Sequence, residues 1–187
     1  MRAYRVFPYL STAKPGDPGH PEFVPPSRGA NRLDNAEHYT VRYFAEHAAG
    51  AVAETLGQYD TWVAGMLRGK PGSGMVRAVA ACEIRRPERL LDLDDGQALV
   101  DRGIRPTQVV RRDLPVTQAW ALRVYEERTS ARGTRRWDGV RWWSWYRPEW
   151  PVVGLWAGDV ELLEVQPLSL EHPAVREAAS ALGRPLG

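Results

Sequence analysis

Four kinds of side chain in this sequence carry chemistry that fits together. Arg28 and Arg32 lie in a turn-rich stretch, SRGANRLDN, where guanidinium forks suit the paired oxygens of a diphosphate. Tyr43, in VRYFAE, offers a flat ring for stacking. Glu54, in AVAETLG, places one carboxylate among small apolar neighbours. Ser144 is a small hydroxyl inside the aromatic run Trp142-Trp143-Ser144-Trp145-Tyr146, where it leaves a gap a ligand would fill. Together these residues meet the needs of a dinucleotide such as NAD. Breaking its nicotinamide–ribose bond develops an oxocarbenium-like charge, which a carboxylate stabilises directly or through a ribose hydroxyl. Nicotinamide leaves as a neutral molecule, so the chemistry needs no general acid.

Each residue also has a plainer reading. Arg32 would cap a turn against Asp34, Tyr43 would be a core tyrosine, Glu54 would sit on a solvated helix face, and Ser144 would be a packing choice. The run from Arg135 to Arg147 is rich in arginines and rings. It offers a second function class: an inactive binding module that stacks single-stranded nucleic acid. Other chemistries lack their signatures. There is no GxSxG elbow, and GKPGSG at 69–74 lacks the order of a phosphate-binding GxxxxGK[ST] loop. His20, His38, His47 and His172 show no HExxH or comparable spacing, so no metal is expected.

These side chains must be held by a small scaffold. A chain of 187 residues, 43% hydrophobic, suits one domain over 1–187 that buries roughly 70% of its unfolded surface. A formal charge of +2 is too small to make nucleic acid the default partner. The single Cys82 excludes an internal disulfide and fits a reducing cytoplasm. No apolar run is long enough for a signal peptide or a membrane span, so no membrane partner is expected.

Alternation predicts a first strand at Ala3–Pro8, followed by a Pro/Gly-rich loop, Ser11–Ala30, read as a binding loop. A strand at Val41–Glu46 puts Val41, Tyr43 and Ala45 on one face. A helix over Ala48–Gln58 ends at Gly57, with Ala51, Glu54, Thr55 and Gln58 sharing a side. Strands follow at Met75–Ile84 and Arg89–Leu93, then a short helix to Asp101 and a longer one over Pro115–Arg128. A strand is expected at Arg136–Tyr146, and a hairpin joining Val152–Trp156 to Val160–Val165 across Gly158 and Asp159. The last helix is His172–Leu182. Without strict βαβ alternation the class is α+β, a mixed or antiparallel sheet with flanking helices.

In order and spacing, YRVFP, NRLDN, VRYFAE, AVAETLG, DGVRWWS and HPAVREAASALGRPL together resemble the RES-domain family. The resemblance covers nearly the whole chain. It aligns Arg32, Tyr43, Glu54 and Ser144 with the family's arginine, tyrosine, glutamate and serine. It departs at Ala30-Asn31-Arg32-Leu33-Asp34-Asn35, where many members carry Gly-Gly-Arg-Trp-Asn. What it implies is a fold similar to ADP-ribosyltransferase toxins and consumption of NAD as substrate, as a glycohydrolase, a phosphorylase using inorganic phosphate, or a transferase to a protein acceptor. It further implies the toxin role in a toxin–antitoxin system with a DNA-binding Xre antitoxin, nucleic acid being met only through that partner.

Overall fold

The computed structural model describes residues 1–111, 113–130 and 133–187. Among them, seven strands make one sheet: β1 (Arg2–Tyr9), β2 (Arg42–Ala45), β3 (Val76–Ile84), β4 (Leu90–Asp92), β5 (Gly139–Trp142), β6 (Val152–Leu155) and β7 (Val160–Pro167). Their order is β4-β5-β6-β2-β1-β3-β7. Only β4 and β5 run parallel, so the sheet is mixed, as expected for α+β. The helices are α1 (Ala48–Leu56), α2 (Gly96–Val100), α3 (Pro106–Val110), α4 (Leu114–Glu126) and α5 (Pro173–Leu182).

Strand alternation divides the core. From β1 and β3, Ala3, Phe7, Ala78, Ala80 and Cys82 point to one face, where they meet Phe44, Val153 and Leu155. Tyr4, Val6 and Val79 point to the other, beneath α1 and α5. The two helices pack through Ala49, Val52, Ala53 and Leu56 against Val175, Ala178 and Ala179. Alanine lets their backbones close up, and each fully buried Val or Leu there contributes about 1.5–3 kcal/mol. His172 caps α5 by accepting the Ala174 N–H, and Gly183 ends it at φ +62, a left-handed conformation that glycine adopts without strain.

Three expectations change. The hairpin across Gly158 and Asp159 does not form: β6 pairs with β2 and β5, while β7 pairs with β3 at the sheet edge. All four β6 residues are buried, which marks a central strand, whereas β7 leaves most of its residues exposed. Gly158, at φ +96, does make a turn, yet a turn signal does not choose the partner. Since only four residues link the middle of the sheet to its edge, the sheet curls. Leu162 and Val165 of β7 accordingly pack against the same cluster as Val153 and Leu155. The strand expected at Arg136–Tyr146 is cut to Gly139–Trp142. Finally, α3 forms where the sequence carries no helical signal, because five residues are too few to show a helical period.

Candidate functional site

Strands β1 and β2 pair only at Tyr4↔Ala45. A cavity of about 490 Å³ opens where they part, lined by Tyr4–Val6, Tyr43–Ala45, α1 residues and the Ala30–Arg32 loop. Arg32, Tyr43 and Glu54 all reach it, from a loop, a strand and a helix. Arg28 does not line it. That residue stands exposed just before Gly29, whose φ of +73 turns the chain.

Helix α1 presents Ala51, Glu54 and Thr55 to the cavity, whereas Gln58, expected on the same side of a helix reaching that far, falls beyond the helix end at Leu56 and is exposed. Behind Glu54 stands Ser144, 1% exposed and outside the cavity wall, just past the end of β5. Its hydroxyl donates to Glu54 Oε1 at 2.5 Å and accepts the Tyr146 N–H at 3.1 Å. The Tyr146 N–H occupies one lone pair of the hydroxyl, and its proton goes to the carboxylate, at the short distance of a charge-assisted bond. Ser144 therefore addresses Glu54 rather than the cavity contents.

The arginine loop is tied down by buried Asp34, which is 2% exposed. Asp34 Oδ2 accepts from the Asn31 N–H and Nδ2, both at 3.1 Å, and Oδ1 accepts from the Tyr43 hydroxyl at 3.1 Å. The Tyr43 oxygen in turn accepts the Leu33 N–H at 3.1 Å. Burial first, then the nearby Asp34 charge, pushes the Tyr43 phenol above its ordinary range, so it stays protonated. Asp34 is thus served by Asn31 and Tyr43. The Arg32 guanidinium instead donates to the Val109 carbonyl and lies 6.0 Å from the Trp142 ring centroid.

Leu33, fully buried, rests on Gly154, the β6 partner of Tyr43. A Cβ at residue 154 would collide with Leu33 Cδ1. Gly154→Val is therefore expected to lift the loop and destabilise the fold by about 1–3 kcal/mol. At this size that is a Tm loss of roughly 2–12 °C by thermal melt.

Other lining residues escaped the sequence reading. Arg5, which also donates to the Phe23 carbonyl at 2.9 Å, and Arg111, ion-paired with Asp113 at 3.3 Å, bring more positive charge to the cavity. Trp142, 5% exposed, supplies an aromatic wall. Its two-residue offset from Ser144 was a usable signal, whereas nothing local marked Arg5. A second cavity of about 220 Å³ shares Arg5, Val6, Asn31 and Tyr43 and is walled by Val24–Ser27, so the proline-rich loop forms part of the site's rim.

The run from Arg135 to Arg147 does not form a stacking platform. Of its five rings only Trp145 is exposed. Trp137 donates to Glu127 at 2.8 Å, Arg135 covers Tyr125 at 4.0 Å, and Arg141 is paired with Glu46 and Asp92. Among the described residues no three His, Cys, Asp or Glu side chains gather as metal ligands, and no helix is long and apolar enough to cross a membrane.

Comparison with known proteins agrees with this architecture. No curated protein matches the chain. Among solved structures, a chain of the crystal structure of the M. tuberculosis MbcT-MbcA toxin-antitoxin complex superposes with a TM-score of 0.62 at 14% identity, covering 96% of this chain and 88% of that one. At that identity the likeness is one of fold. The RES domain family matches residues 2–175, nearly the full length of the sequence, and the chain belongs to that family.

Proposed function

We propose that this protein consumes NAD by cleaving the nicotinamide–ribose bond. The observation that carries the reading is a carboxylate, Glu54, clasped by Ser144 at 2.5 Å on the wall of the cavity that Arg32 and Tyr43 also line. Arg32, with Arg5 nearby, takes the diphosphate, and the rings of Tyr43 and Trp142 flank the nicotinamide riboside. As the C–N bond breaks, its electron pair neutralises the pyridinium and nicotinamide departs. Positive charge moves onto the ribose, where the Glu54 carboxylate opposes it. Water, inorganic phosphate or a protein side chain then forms the new bond at C1′ and releases its proton to solvent.

The Ser144 hydroxyl favours the ionised form of Glu54 and fixes its direction. Ser144→Ala is expected to lower turnover about tenfold, the scale of one hydrogen bond to a charged group. It should also move the acid limb of the rate profile to higher pH, because the carboxylate then protonates more readily. A pH series of initial rates checks both.

Family membership and the fold shared with a chain of a toxin–antitoxin complex support a toxin role in the cytoplasm, with a protein antitoxin of the Xre type as partner. The direct test is to incubate the purified protein with NAD, with and without phosphate, and to weigh the products. Free nicotinamide is expected in both. A phosphorylated ADP-ribose only when phosphate is present identifies phosphate as acceptor. No nicotinamide release under any condition overturns the reading.

A further inference from the structure

Beyond the four family positions, one glycine is placed as if the geometry of Glu54 depended on it. Gly57 follows the last residue of α1, where a left-handed glycine commonly ends a helix, yet its φ is −60 and its ψ −20, a conformation open to any residue. Backbone freedom therefore does not explain a glycine here. Space does: a Cβ at residue 57 would lie 2.6 Å from both Cε1 and Cζ of Tyr146. The ring is not a free end that swings aside, because it packs against the α1–α5 cluster.

The two partners are in register with Glu54 and Ser144. Glu54 and Gly57 are three apart on one helix face, and Ser144 and Tyr146 are two apart on the segment opposite. Ser144 meets Glu54 while Tyr146 meets Gly57, and the Tyr146 N–H closes the square by donating to Ser144 Oγ at 3.1 Å. From the other side, Arg184 donates to the Gly57 carbonyl at 3.1 Å, a cation at the helix C-terminus where the dipole favours it. The end of α1 is held between these two contacts.

We propose that Gly57 is a positioning residue for the reaction, whose missing side chain lets Tyr146 seat against the end of α1 and so brings Ser144 onto Glu54. This rests on the NAD-cleaving reading for its consequence on rate, but not for its geometry. A side chain at residue 57 displaces the ring, the ring carries Ser144 with it, and the Glu54 carboxylate loses the Ser144 hydrogen bond. The same Cβ would also approach the Ala53 carbonyl at 2.5 Å, so the last helical turn can be disturbed independently of the ring. The test has to separate the two.

Gly57→Ala, Tyr146→Ala, the double variant and Ser144→Ala are compared with wild type by two readouts. The first is initial rates of NAD loss across pH. The second is the titration midpoint of the Glu54 side-chain carboxyl by carbon-13 NMR, which needs no turnover. Gly57→Ala is expected to lower kcat about tenfold with KM within about twofold, the scale of losing one bond to a charged group. It should raise the Glu54 midpoint in the direction that Ser144→Ala does. In the Tyr146→Ala background the same change should have little further effect, since the obstructing ring is gone. An unaltered midpoint in Gly57→Ala overturns the proposal, as does an equal loss with and without the ring. If wild type releases no nicotinamide, the functional reading fails alone, and the midpoints still decide on Gly57.

Discussion

Glu54→Gln is expected to lower NAD turnover by about 10²- to 10³-fold while leaving KM nearly unchanged, the scale of removing one preorganised electrostatic group. The amide is close in shape to the carboxylate, and its carbonyl still accepts from Ser144, whose donor bond spans 2.5 Å in the native pair. Folding should therefore survive, and an unchanged Tm verifies it. What disappears is the negative charge beside the developing ribosyl cation, so the loss belongs to the transition state rather than to substrate binding. Initial rates at saturating NAD measure it. Near-native turnover in this variant would remove Glu54 from the chemistry.

Arg32→Ala comes second, with an expected fall of about 10- to 100-fold in kcat/KM, from the 1.5–3 kcal/mol of a hydrogen bond to a charged partner. Arg32→Lys should recover only part of it, because an ammonium keeps the charge and loses the planar fork. The substitution also frees the Val109 carbonyl at the end of α3, so a Tm measurement has to accompany the kinetics. Nicotinamide riboside, which has no phosphate, provides the control. Its slow cleavage should be indifferent to Arg32, and an equal loss with both substrates would take Arg32 away from the diphosphate.

Elements set by nearby residues were legible in the sequence. The alanine-rich period of α1 puts Ala51, Glu54, Thr55 and Gln58 on one face, and the first three line the cavity, while the helix stops before the fourth. At α5, Gly183 marks the end at Leu182, while the start lies at Pro173, one residue after the expected His172, which serves as the cap. What failed depends on partners far along the chain. β6 and β7 look like neighbours across a glycine turn, but both edges of β6 are taken by β2 and β5, and all four of its residues are buried. Arg28 and Arg32 are alike as residues; the turn at Gly29 and the Asp34 network, invisible to composition, decide which one enters the cavity. Ser144 stands out in the sequence as a hydroxyl among rings, yet its contact with a residue 90 positions earlier follows only from the course of β5.

The sheet order has a consequence for how the protein is made. β2 sits between β1, from the first residues, and β6, which begins at Val152. A ribosome that has released the first hundred residues has already delivered Arg32, Tyr43 and Glu54, but neither the serine that aims the carboxylate nor the strand that backs the tyrosine. Pairings of such long separation form late and slowly. A nascent chain is thus expected to complete the cavity and its Glu54–Ser144 contact only near the end of translation.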